Sequence, residues 1–415
     1  MKYIILFFLL FSCSLDNKNL LLDTSEINKT IDKYIEDKSL AVLHVYLEDL
    51  NGKSIYSYSK QNFNLISEPV DENTIFRIWS MSKIVTITLA MDLVEEGFFS
   101  LDDDVSIYIP EFKNLKIARG NNGEKLYNSK NDNCPLTFVD EPYVMTIRDL
   151  INHKAGFYYA TTQHDCLNKL ISSKNLANSK NSDEVINKLS QLPLILNPGK
   201  SSHYGLNTSV LGFVMERATG KTLKELLNEK LIDPFDIKEF DYHKPIDYEL
   251  LPVFSSADTI VRKAYKGELD IFGPDVPSYD ISNELFLGCV GMIASSDGYA
   301  DFLRILLNNG SLNDKVFLNK SSVIEISSPH TQLDSYDGYN GYNLWVTNDN
   351  YRKDGLGDSG LWTGGGYEGT HFWIDNKRGF VGLIMTQIFD ERGLQDEFRN
   401  EIRGTIYKEI FKNEK

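Results

Sequence analysis

The 415-residue chain is long enough for two structural units, or for one large α/β body with an inserted domain. At 42% hydrophobic and 12% aromatic residues it can bury a sizeable core, which excludes wholesale disorder. Its 43 Lys and Arg against 59 Asp and Glu give a formal charge of −16, which argues against a nucleic-acid groove.

The first residues, Met1 to Phe11, carry one positive charge and then an apolar run too short to cross a membrane. This is the form of a secretory signal, here residues 1–12. The run ends in Leu10-Phe11-Ser12-Cys13, which resembles a bacterial lipobox with Cys13 as the lipidated first residue of the mature protein. An ordinary signal peptide with an incidental cysteine is the alternative. Residues 13–24 then read as a tether, and the chain as exported, anchored to the cell envelope on its periplasmic face or free in the periplasm.

Ser25 to Asp37 places Ile27, Ile31, Tyr34 and Ile35 on one helical face. Ala41 to Leu47 and Ser54 to Tyr58 read as strands joined by the hairpin signal Asn51-Gly52. A loop leads to Phe76 and Ser80, and an apolar helix runs on to Val94 and stops at Gly97. The triplet Asp102-Asp103-Asp104 reads as a solvated helix start rather than a metal site. Residues 118–142 are polar and irregular, a surface insertion. Thr146 to Gly156 is a short helix with His153 near its end, a capping or packing group rather than a catalytic one.

Further helices are predicted over 181–191, after the segment Gly199 to Asn207 and ending at Gly220, over 222–231 and over 296–308. Strands are predicted over 342–347, 362–369, 370–375 and 379–386, and a last helix over 397–411. Strands at both ends with a helical middle imply one sheet interrupted by helices. The predicted unit is residues 25–412, with an α/β part in 25–79 and 288–412 and a helical part in 80–287. Cys134, Cys166 and Cys289 lack metal-ligand spacing and read as partly buried thiols; a Cys134–Cys166 bridge is the alternative in an oxidising compartment. No metal or cofactor motif is present.

Chemistry concentrates at Ser80-Met81-Ser82-Lys83. A serine hydroxyl is a poor nucleophile until a base takes its proton, and residues three apart share a helix face, so Lys83 reaches back to Ser80. The free N–H groups at a helix N-terminus can help hold an oxyanion.

Two more segments complete a pattern: Tyr204-Gly205-Leu206 after Pro198-Gly199, and Trp362-Thr363-Gly364-Gly365 on a strand. With Met145 to Gly156, Leu287 to Met292 and Gly369 to Asp375, they make the chain resemble the serine β-lactamase and penicillin-binding-protein superfamily, nearest the class C β-lactamases and family VIII carboxylesterases. The resemblance runs from about residue 25 to the C-terminus, and its boxes are specific only together. It implies an α/β (α+β) fold: an antiparallel sheet flanked by helices with an inserted, mostly helical domain.

It also implies Ser80 as nucleophile, Lys83 and Tyr204 as proton carriers, and the backbone N–H groups of Ser80 and Gly365 as the oxyanion hole. Leu206, Trp362, Thr363 and Gly364 would line the substrate site. Leu206 stands where the second box has Asn, with Asn207 one residue on, and Trp362 where the third has Lys, the partner of a substrate carboxylate. These departures favour a carboxylesterase acting on small, neutral esters or amides over a β-lactamase or a D-alanyl-D-alanine peptidase. A catalytically inactive cell-wall-binding lipoprotein is the non-enzyme alternative.

Overall fold

The computed structural model describes residues 22–126, 134–162, 164–269, 271–272, 277–333 and 338–414. The predicted signal, Cys13 and all but the end of the predicted tether lie outside the described residues. Helix α1 (Thr24–Glu36) is capped by Asp23 and buries the predicted face, Ile27, Ile31, Tyr34 and Ile35. It leads into strands β1 (Val42–Asp49) and β2 (Ser54–Gln61), paired antiparallel.

The remaining strands of the sheet come from the other end of the chain. They are β3 (Thr331–Gln332), β4 (Tyr339–Asn340), β5 (Trp345–Val346), β6 (Trp362–Gly365), β7 (His371–Asp375) and β8 (Phe380–Met385). The order is β3-β4-β5-β6-β7-β8-β1-β2, antiparallel at every junction, with Val45 opposite Ile384 where the two ends meet. The antiparallel sheet flanked by helices is therefore as the resemblance implied.

Alternation along β7 sends its side chains to two layers. Phe372 meets Tyr299 of α5 (Ser296–Leu307) on one face, while Asp375 accepts a hydrogen bond from Tyr407 of α6 (Leu394–Asn413) on the other. Between β2 and α5 the regular structure is mainly helical. At its centre is α2 (Ser82–Glu95), in which every residue from Ser82 to Leu93 is buried, so its sequence is apolar around most of its circumference. Beside it stand α3 (Ile147–Ile151), closed by a Thr146–Asp149 capping box, and α4 (Asn207–Thr219), ended by Gly220 in the left-handed region.

Three readings of the sequence change. Residues 118–142 are not simply a surface insertion: Ile117–Arg119 pairs with Thr137–Val139, and Ala118, Arg119 and Leu126 are buried. Cys134 and Cys166 form a disulfide, leaving Cys289 as a free, buried thiol. Helices at Asp165–Ser172 and Lys320–Ser327, eight residues each, add to the predicted set.

Candidate active site

Ser80 is presented by a sharp turn. Phe76–Arg77 pairs with Ile293–Ala294, Trp79 then takes a positive φ of 46°, and a single 3₁₀ turn over Trp79–Met81 feeds α2. A bulky residue in that conformation is strained, and it is held here because its indole is fully buried. Lys83, one turn on, is also fully buried, with Nζ 2.9 Å from Ser80 Oγ and 2.9 Å from the carbonyl oxygen of Cys289. Cys289 is itself anchored to α4, its Sγ lying 2.8 Å from Ser209 Oγ.

Tyr204 reaches the same point from the turn before α4. Its ring centroid lies 4.7 Å from Lys83 Nζ, 4.6 Å from the His153 ring and 5.9 Å from the Tyr159 ring. The turn demands Gly205, because a Cβ there would sit 2.3 Å from the carbonyl oxygen of Phe157. His153 is buried between Asn207 Nδ2 at 3.2 Å and Asn343 Oδ1 at 3.3 Å. Burial pushes its pKa down to about 3, so it is a neutral platform under Tyr204. The packing role predicted for His153 fits this geometry.

The third side is the end of β6. Gly366 N–H donates to Thr370 O across the β6–β7 turn, so alternation along the strand directs the Gly365 N–H away from β7. On that other edge β5 pairs only as far as Thr363, which leaves the Gly365 N–H beyond the ladder. A Cβ on Gly366 would lie 2.6 Å from the carbonyl oxygen of Ile78, so glycine lets this strand end close on the Ser80 turn.

Ser80, Tyr159, Tyr204, Thr363, Gly364 and Gly365 line one cleft of about 680 Å³. Two of the expected substrate contacts are not there. Leu206 is 2% exposed and packs into the core at the start of α4, not into the cleft. Asn207 is likewise turned inward, donating to the carbonyls of Phe157 and His203.

Trp362 opens into a separate surface hollow with Leu50, Leu307 and Ile324. It sits at the far end of β6 from Gly366, and the cleft is lined instead by Thr363 to Tyr367. The third box therefore meets the cleft through its glycines.

Residues missed in the sequence supply the α6 wall: Asp396, Arg399, Asn400 and Arg403, with His371 of β7. Their spacing of three, four and seven was a legible polar stripe beside Phe398, Ile402, Ile406 and Ile410. Arg399 donates to the carbonyls of Gly366, Gly369 and Thr370, at 3.2, 3.2 and 2.9 Å, and so holds the β6–β7 turn. Among the described residues no group of three or more His, Cys, Asp or Glu is placed to hold a metal ion.

Fold and site together are those of a serine-hydrolase scaffold of the penicillin-recognising type. The chain matches the Beta-lactamase family over residues 51–403 and belongs to it. Esterase EstB of Burkholderia gladioli is 30% identical over 176 residues, 41% of this chain and 39% of that protein. Lovastatin esterase of Penicillium rubens (strain ATCC 28089 / DSM 1075 / NRRL 1951 / Wisconsin 54-1255) is 26% identical over 200 residues, 47% of each chain. The chain spans about half the length of the curated relatives it matches. Among solved structures, EstCE1, a hydrolase with promiscuous acyltransferase activity, superposes with a TM-score of 0.76 at 19% identity. That match covers 95% of this chain and 100% of the other, and shows a shared fold.

Proposed function

We propose that this protein is a carboxylesterase that cleaves small esters, or amides, through an acyl-enzyme on Ser80. The observation that carries the reading is the 2.9 Å contact between Lys83 Nζ and Ser80 Oγ, in a cleft that also presents Tyr204 and the end of β6 beyond its pairing with β5. Ser80 Oγ attacks the ester carbonyl as Lys83 takes its proton. The oxyanion is met by the N–H groups of Ser80 and Gly365, fixed in place before the reaction begins. The alcohol leaves with a proton returned through Lys83 and Tyr204. Water then enters, gives a proton to the same pair and releases the acid. Esterase names among the relatives support this class of substrate.

A fluorophosphonate probe tests the reading. It labels Ser80 in the wild type and not in Ser80→Ala, and the labelled site is lost when short p-nitrophenyl esters compete. No labelling, with no turnover of short esters, a chromogenic cephalosporin or a D-Ala-D-Ala peptide, would leave the binding-lipoprotein reading instead.

We propose further that the chain is exported and lipidated at Cys13. The Leu10-Phe11-Ser12-Cys13 pattern supports this, and the Cys134–Cys166 disulfide fits an oxidising compartment. Mass spectrometry of the mature N-terminus decides it: a diacylglyceryl mass on Cys13 is expected, and an unmodified terminus downstream would mean free secretion.

A further inference from the structure

A buried carboxyl group stands behind the nucleophile, and the chemistry of the cleft does not use it. Glu368 lies in the turn between β6 and β7 and is 0% exposed, and neither carboxyl oxygen has a hydrogen-bond partner among the described residues. Its backbone is fixed, since its carbonyl oxygen accepts from the Ile388 N–H at 2.8 Å. The groups acting on its side chain are the Arg77 guanidinium, the Trp79 indole N–H and the Tyr279 hydroxyl. Trp79 Nε1 and Tyr279 OH are themselves buried and without a hydrogen bond among the described residues. Arg77 stands over the Tyr279 ring at 5.7 Å, and its Nη1 donates to neutral oxygens, Leu251 O at 2.7 Å and Gln387 Oε1 at 3.3 Å.

Arg77 and Trp79 belong to the stretch that ends on Ser80. The β6–β7 turn grips that stretch twice more. The Tyr367 ring meets the Trp79 ring edge-on at 5.5 Å, and Gly366 closes on the carbonyl oxygen of Ile78. Trp79 keeps its positive φ of 46° only because its surroundings impose it. A buried carboxyl group without hydrogen bonds costs stability, and departures of that kind concentrate at functional sites.

We propose that Glu368 is a positioning residue for the reaction: its carboxylate draws Arg77 and the Trp79 N–H towards the β6–β7 turn and so holds the strained turn that aims Ser80 Oγ. The proposal rests on the reading of Ser80 as the nucleophile. An ionised carboxylate is the stronger acceptor and the form that attracts Arg77, so it is the form that positions. Burial raises Glu368 to about 7, so this form accumulates as pH rises through neutrality. The histidines lining the cleft, His153 and His371, are held below that range by their own burial. Activity and stability are then opposed, because the charge that holds the turn is the one burial penalises.

Glu368→Gln keeps the shape and removes the charge. At pH 8 it should unfold at a higher denaturant concentration than the wild type, yet hydrolyse a p-nitrophenyl ester with kcat lower by about tenfold and KM within about twofold. Wild-type kcat should rise by about tenfold along a limb centred near pH 7, and the variant should lack that limb. A merely structural glutamate would lose stability and kcat together in the variant, and that result overturns the proposal. A wild type labelled at Ser80 by the fluorophosphonate, whose kcat and pH limb Glu368→Gln leaves unchanged, also overturns it while the hydrolase reading stands.

Tryptophan fluorescence of Ser80→Ala, followed from about pH 5 to 9, reads the hold on Trp79 without turnover. A sigmoid centred near pH 7 that Glu368→Gln abolishes in the same background supports that hold even if the hydrolase reading fails. A flat titration, or one that Glu368→Gln leaves in place, overturns the proposal.

Discussion

Lys83 and Cys289 lie 206 positions apart and are joined by a hydrogen bond from Nζ to the cysteine carbonyl oxygen at 2.9 Å. With Ser80 Oγ at the same distance, this bond fixes the amine between the nucleophile and the segment that returns after the helical half of the chain. The Ser-Lys geometry is therefore set by α2 and a distant loop together.

Lys83→Ala removes both contacts. Hydrolysis of a short ester should fall by about 10²–10⁴-fold, the usual worth of a positioned base. Stability should fall as well, by about 1–3 kcal/mol, because the buried Cys289 carbonyl loses its donor. Ser80→Ala should abolish turnover while keeping the Cys289 bond, with a denaturation midpoint near that of the wild type. Retained activity in Lys83→Ala would remove Lys83 from the mechanism.

Gly205→Ala drives a Cβ into the Phe157–Tyr158 backbone, 2.3 Å from Phe157 O and 2.7 Å from Tyr158 Cα. The turn must move, and Tyr204 with it, so kcat should drop by about 10²-fold for a displacement near 1 Å. Steady-state kinetics on a p-nitrophenyl ester measures this, and an unchanged kcat would show that the position of Tyr204 does not matter.

The Cys134–Cys166 disulfide closes a loop with a sequence separation of 32. Cross-linking a loop of that size stabilises a fold by about 2–4 kcal/mol, so Cys134→Ser with Cys166→Ser should lower the denaturation midpoint correspondingly. Thiol titration in denaturant without reductant should find Cys289 reactive and Cys134 and Cys166 silent. Reactivity at all three would disprove the bridge.

Two buried groups give stability opposite slopes with pH. His44 is fully buried between Ser59 Oγ and Ser296 Oγ, and burial lowers its pKa to about 4. Its folded value lies below the unfolded one, so its contribution is full above pH 6.5 and is lost on acidification, about 2 kcal/mol by pH 5. Glu368, with neither carboxyl oxygen hydrogen-bonded among the described residues, is raised by burial to about 7, against the opposing pull of Arg77 and the Trp79 indole. Its folded value lies above the unfolded one, so stability is lost as pH rises from about 4.5 through 7. Urea melts of Glu368→Gln and wild type at pH 5 and 8 should therefore diverge, with the variant gaining about 2–3 kcal/mol on the wild type at the higher pH. A constant difference would mean that Glu368 is ionised throughout.

The sequence by itself determined what depends on near neighbours. A spacing of three put Ser80 and Lys83 on one helix face, Asn51-Gly52 turned β1 into β2, and Gly220 and Gly97 ended their helices. The box order named the fold, because strands at both ends of the chain can share a sheet only if the middle loops out. Tertiary structure decided which way the box residues face. Leu206 and Trp362 belong to the right segments, yet one turns into the core and the other to a separate hollow, since facing depends on how α4 and β6 dock. It also decided the charge of the cleft. Arg399 and Arg403 take their place in the cleft only once α6 packs on the sheet, with no carboxylate oxygen within ion-pairing distance of them among the described residues. Local spacing fixes which residues share a face, but burial without a counter-ion is a property of everything around them.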